Sequence, residues 1–199
     1  NGQLVPPIPL WADVVDLNFD SMEMRRAMID AMSYWVREVD IDGFRVDTAE
    51  WQPLDFWVEA RNALREIKPI FMLAEGAKPE LIEYAFDVAY AWDLTPNMNE
   101  IKEGTKHVTD LVNYLNAEAR IVPNDGFRLN FTTNHDINAW EGTAVERMGE
   151  ALEAFTVLTF TVNGMPLIYN GQEARLDKRL DFFARDPIVW QEDTMADLY

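Results

Sequence analysis

Apolar positions along the chain alternate between a spacing of three to four residues and short uninterrupted runs, and each change marks a switch between helix and strand. Met24, Met28, Ala31 and Trp35 share one helical face, predicting a helix over about 21–38, with Asp20 and Glu23 resembling a capping box at its start. Asp42-Gly43 breaks that period, and Phe44 to Asp47 reads as a short buried strand. A second amphipathic helix is predicted over about 54–66, stopping before Lys68-Pro69, and a strand over 70–75 follows. The alternation then continues with a helix near 79–84, a strand near 86–90, a helix near 108–118 and a strand near 128–133. A helix near 145–160 has Met148, Leu152, Phe155 and Leu158 on one face, and a strand at 166–169 comes after it. Pro6, Pro7 and Pro9 make residues 1–19 an irregular lead-in; 171–190 reads as a long loop and 190–199 as the onset of a helix.

About five strands alternating with helices predict the α/β class with a parallel sheet, whose chemistry sits beyond the carboxyl ends of the strands. Three runs end there on carboxylates: Gly43-Phe44-Arg45-Val46-Asp47, Phe71-Met72-Leu73-Ala74-Glu75 and Asn130-Phe131-Thr132-Thr133-Asn134-His135-Asp136. Arg45 and Asp47 are two apart on a strand and share a face. A guanidinium beside a carboxylate favours its charged form, which a nucleophile at a sugar's anomeric carbon requires. Glu75 follows four apolar residues, surroundings that favour its neutral form and suit a general acid. Asn134, His135 and Asp136 bring three hydrogen-bonding side chains to one strand end, able to hold sugar hydroxyls or stabilise positive charge. Taken singly, Arg45 and Asp47 read as readily as a structural ion pair, while Glu75 alone reads more often as a helix cap or solvated loop residue and His135 alone more often as a structural histidine; their shared position at strand ends favours sugar cleavage. His107 opens a helix and reads as surface.

Composition narrows the choice of partner. With 199 residues, 48% of them hydrophobic, the chain can bury a core as one domain, and no apolar run is long enough to span a membrane. A formal net charge of -18 repels phosphate backbones and excludes nucleic acid as a main partner. A neutral ligand fits that charge, and Trp51 and Trp140, each just past a catalytic strand end, are candidate platforms for sugar rings. Packing against neighbouring loops is their structural alternative. No cysteine, no paired-histidine metal spacing, no Gly-rich phosphate loop and no Gly-x-Ser-x-Gly elbow is present, so no metal ligand or cofactor is assigned. Asn130-Phe131-Thr132 matches a glycosylation acceptor formally but falls inside a strand predicted to be buried.

In order and spacing, the motifs around Asp47, Glu75 and Asp136 resemble three signature regions of the alpha-amylase family of glycoside hydrolases. Asp16-Leu17-Asn18 and Gly164-Met165-Pro166-Leu167-Ile168-Tyr169-Asn170-Gly171-Gln172-Glu173 extend the likeness. The resemblance implies a partial (β/α)8 barrel, approximately strands 4 to 8, with Asp47 as nucleophile, Glu75 as general acid and base, and Asp136 as transition-state stabiliser. It also implies sugar-orienting roles for Arg45 and His135, retention through a covalent glycosyl-enzyme, and α-linked glucans as substrates. By this alignment residues 1–199 are the C-terminal part of the catalytic domain, without the first three strands, the inserted domain or the C-terminal sandwich. The family's Asp-x-x-x-Asn-His signature is not found, and Glu50-Trp51 stands where many family amylases carry Lys-His. Calcium in a longer parent and a secreted or periplasmic location are further implications. The alternatives are a glucan-binding fragment with an incomplete site, an α-glucan transglycosylase, and a doubly wound nucleotide binder, against which the missing Gly-rich turn argues. An open half barrel is also expected to self-associate through its edges.

Overall fold

The computed structural model describes residues 4–9, 11 and 13–199. Residues 1–3, 10 and 12 of the predicted lead-in lie outside the described residues, and the rest of that segment is irregular as expected. The elements run α1 (Met22–Glu38), β1 (Gly43–Val46), α2 (Leu54–Arg65), β2 (Phe71–Ala74), α3 (Pro79–Tyr84), β3 (Val88–Tyr90), α4 (Leu94–Glu103) and α5 (Val108–Ile121). They continue with β4 (Phe127–Asn130), α6 (Ala144–Met148), α7 (Leu152–Thr161), β5 (Met165–Pro166) and α8 (Met195–Leu198). All five strands are parallel and stand in chain order β1-β2-β3-β4-β5, the arrangement of consecutive units in part of a (β/α) barrel.

Alternate residues on each strand face opposite ways and enter different cores. Phe44, Val46, Met72, Ala74 and Ala89 join an outer core beneath α1, α2 and α3, where Phe56 is fully buried between Phe19 and Trp57. Leu73, Val88, Tyr90, Leu129 and Phe131 form an inner cluster with Trp92, Ile137 and Leu167. A third core joins α4, α6 and α7 through Leu94, Met98, Met148, Leu152 and Phe155. Gly43 is needed where β1 meets β2, because a Cβ there would lie 2.1 Å from the Phe71 carbonyl oxygen.

Several expectations need correction. Ser21, not Asp20, caps α1, its Oγ accepting from the Met24 N–H at 3.2 Å. The buried face of α1 is rotated from the predicted one: Ile29, Met32 and Val36 are buried, whereas Trp35 is exposed. Helix α4 was not anticipated, because Pro96 and two asparagines obscure its apolar stripe. The helix expected over 145–160 is broken after Met148, where Gly149 takes a φ of 52°. The strand expected over 128–133 ends at Asn130, and that at 166–169 is replaced by the shorter β5. Among the described residues no helix is long and apolar enough to cross a membrane.

Candidate active site

Strands β1 and β2 pair with Arg45 opposite Leu73 and Val46 opposite Ala74, so the residues just past their ends, Asp47 and Glu75, emerge side by side. Arg45 bridges them. One guanidinium nitrogen is 2.5 Å from Asp47 Oδ1 and the other is 3.2 Å from Glu75 Oε2. Its Nε donates to the Tyr90 hydroxyl at 3.3 Å, one strand further on. Burial works against the Arg45 charge, but the Tyr90 hydroxyl and the two carboxylates outweigh it and raise its pKa above the ordinary guanidinium value.

Backbone shape completes the pair. Thr48 adopts a left-handed conformation with φ 45°, uncommon for a β-branched residue, and its N–H donates to Glu75 Oε2 at 2.8 Å. Glu75 is far more enclosed than Asp47, with side-chain exposures of 12% and 72%. Burial pushes the Glu75 carboxyl above the usual glutamate range; the Thr48 N–H and Arg45 pull it back, and the neighbouring Asp47 carboxylate pushes it up again. Two carboxyl groups thus sit together in unlike surroundings, the condition for dividing acid and nucleophile roles.

The third acid approaches from the β4 end. Asp136 opens a π-helical turn at Ile137–Glu141, and its Oδ2 is 3.3 Å from His135 Nε2. Asp47, Glu75, His135 and Asp136 all line one open cleft of about 1070 Å³. Trp51 and Trp140 line it too, both at least half exposed. Asn134 does not: it is buried, its Oδ1 accepts from the Ile137 N–H at 2.8 Å, and its Nδ2 has no partner. Its placement is that of a turn-forming residue behind His135 and Asp136 rather than a sugar contact. His107 precedes α5, with its N–H on Asp110 Oδ2, away from the cleft.

Sequence reasoning missed several cleft residues. Trp92 lines the cleft and Tyr90 lies beneath it, bonded to Arg45; both follow Val88 at intervals of two and could have been found by strand parity. Trp11 stacks on Trp51 with ring centroids 5.0 Å apart and planes 6° from parallel. Phe182 and Phe183 come from the long loop and had no periodic signal. Glu50 turns its carboxylate to the Ala77 N–H at 2.9 Å, joining the loops that follow β1 and β2. Among the described residues no cluster of three or more His, Cys, Asp or Glu side chains is placed to hold a metal ion, and no step is assigned to calcium.

A family model for the alpha-amylase catalytic domain matches residues 10–197. The chain belongs to the alpha-amylase family. A noncanonic maltogenic alpha-amylase from Thermotoga neapolitana is 32% identical and superimposes with a TM-score of 0.85, covering 98% of this chain and 45% of that one. An alpha-amylase from Lactobacillus plantarum is 30% identical with a TM-score of 0.86, over 99% of this chain and 50% of that one. Alpha-amylase 2 of Dictyoglomus thermophilum is 28% identical over 192 residues, 89% of this chain and 34% of that protein. The chain therefore spans about half the length of these solved structures and about a third of that curated relative.

Proposed function

We propose that this alpha-amylase family chain carries the catalytic acids of a retaining glycosidase acting on α-linked glucans such as starch and maltooligosaccharides. The observation that carries the reading is the Arg45 bridge between an exposed and an enclosed carboxyl group on adjacent strand ends, facing the cleft that also holds Asp136. Asp47 attacks the anomeric carbon while Glu75 gives its proton to the departing glycosidic oxygen, leaving a sugar esterified to Asp47 and Glu75 ionised. Glu75 then takes a proton from water as the hydroxyl attacks the same carbon, the ester bond breaks, and both carboxyl groups return to their starting states. Asp136 supports the positive charge that develops on the sugar in each step, and His135 holds its hydroxyls.

Proton NMR of the first products from maltoheptaose tests the mechanism. The α-anomer should appear first; the β-anomer first would overturn retention. Products longer than the substrate would assign sugar rather than water as the acceptor. Glucan binding without release of any product would assign the non-catalytic alternative. The same reading expects copies of this chain to associate. Inward-facing Phe71, Phe127 and Met165 are at least a third exposed, and β1 and β5 each pair on one side only among the described residues. Light scattering should report a species larger than the 23.0 kDa monomer, and a strictly monomeric chain would contradict self-association.

A further inference from the structure

The loops that follow β1 and β2 stay tied together beyond the point where the two strands stop pairing. The last ladder bonds run from the Glu75 N–H to the Val46 carbonyl and from the Ala49 N–H to the Glu75 carbonyl, both at 2.9 Å. Past them the chain makes one 3₁₀ turn at Ala49–Trp51, anchored by Trp57, whose Nε1 donates to the Ala49 carbonyl at 3.0 Å. Glu50 stands on that turn and reaches across to the other loop. Its Oε2 accepts the Ala77 N–H at 2.9 Å, and its carbonyl accepts from Lys78 Nζ at 3.2 Å. Gly76 makes this approach possible: a Cβ there would lie 3.1 Å from Glu50 Cβ and 3.2 Å from Glu50 Oε2, so the carboxylate packs directly on the peptide just past Glu75.

Thr48, Trp51 and Gln52 line the cleft, but Glu50 between them does not. Its carboxylate holds main chain instead, and that main chain carries Glu75. The same turn supplies the Thr48 N–H that donates to Glu75 Oε2 at 2.8 Å, from a left-handed backbone that persists only where its surroundings fix it. On its other side Gly76 is held by the Tyr90 N–H, 3.0 Å from its carbonyl. The segment bearing the general acid is thus fixed from β3 and from the turn after β1, and the charge-assisted bond of Glu50 makes the second of these ties.

We propose that Glu50 is a positioning residue for proton transfer: by fixing the Gly76–Ala77 peptide against the turn after β1, it keeps the Glu75 carboxyl in place between the Thr48 N–H and the Arg45 guanidinium. This rests on the glycosidase reading above, in which Glu75 is the proton donor. The charged and titratable groups around Glu75 are Arg45, Asp47 and Tyr90, with His135 and Asp136 in the same cleft and Lys78 beside Glu50. The Thr48 bond favours the ionised form of Glu75, so a carboxyl that drifts from it keeps its proton to higher pH. Loss of the Glu50 charge alone acts the other way, because a like charge nearby favours neutral Glu75. Bond and charge are therefore separable. Glu50→Asp keeps the charge but falls a methylene short of the Ala77 N–H, whereas Glu50→Gln keeps an acceptor at full reach and loses the charge.

Carbon NMR titration of the Glu75 carboxyl tests the proposal, in protein isotopically labelled at the glutamate carboxyls and with the Glu75 resonance identified by its loss in Glu75→Gln. Rate profiles against pH on maltoheptaose are taken alongside. In Glu50→Asp, Glu75 should titrate at higher pH than in the unsubstituted protein, and the alkaline limb of the rate should follow it. Its kcat should fall about tenfold, part of the roughly 10²–10⁴-fold that a positioned proton donor supplies, with KM nearly unchanged. Glu50→Gln should recover most of kcat, and its Glu75 should titrate no higher than in the unsubstituted protein. An unmoved Glu75 titration in Glu50→Asp, or an equal loss of kcat in both variants, would overturn the positioning role while leaving the glycosidase reading. A loss carried by KM rather than kcat would overturn it too, by assigning Glu50 to substrate binding. The expected titration with no cleavage by the unsubstituted protein would uphold the hold of Glu50 on Glu75 and overturn the glycosidase reading.

Discussion

The two faces of the five-stranded sheet are made from alternate residues of the same strands and behave differently. Outward, Phe44, Met72 and Ala74 pack beneath helices in an apolar layer. Inward, Leu73, Tyr90 and Phe131 form a smaller cluster, and at the strand ends that face turns to Arg45, Asp47 and Glu75. A shift of one residue in register would exchange these sets, placing the acids under the helices. Pairing of Gly43 with Phe71 at close backbone contact therefore protects both the core and the chemistry.

This comparison predicts that inner-rim substitutions remove activity and spare the fold, while outer-face substitutions do the reverse. The largest effect is expected for Asp47→Asn, with kcat on maltoheptaose falling on the order of 10⁴-fold, the scale for losing a covalent-catalysis group. Because Asp47 is mostly exposed, its melting temperature should hardly move; a large drop in calorimetry would break the separation. Leu64→Ala is the opposite case: its side chain is fully buried in the outer core and away from the cleft, so urea unfolding should show a loss of about 2–5 kcal/mol. Glu75→Gln should lower kcat by about 10²–10⁴-fold, the usual contribution of a positioned proton donor.

A smaller effect separates the groups acting on Glu75. As general acid it works in its protonated form, so the rate falls as pH rises through its pKa, which burial has raised. Arg45 opposes that rise. In Arg45→Gln the Glu75 pKa should climb further and the alkaline limb of the pH–rate profile should move to higher pH, along with a lower kcat. A limb that moves to lower pH would show that Arg45 is not holding Glu75 down.

Much of this was legible in the sequence because strands here are short and end on distinctive residues. The parallel sheet, the placement of Asp47, Glu75, His135 and Asp136, and the cleft positions of Trp51 and Trp140 needed only period and order. Asn134 was misread because a buried amide that forms a turn and one that faces a ligand look alike in sequence. Trp11 was missed because its partner Trp51 is 40 residues away and nothing local announces the stack. Phe182 and Phe183 were missed for the same reason: their position is set by Asn138 and Thr143 across space. Helix α4 escaped because side-chain burial, not local propensity, stabilises it.

The central claim is that the inner rim of β1 and β2 is a glycosidase site. The most direct measurement is reducing-sugar release from soluble starch and maltoheptaose by the unsubstituted protein, Asp47→Asn and Glu75→Gln prepared together. The account predicts release by the first and its loss in both variants. Release that persists undiminished in either variant would contradict it.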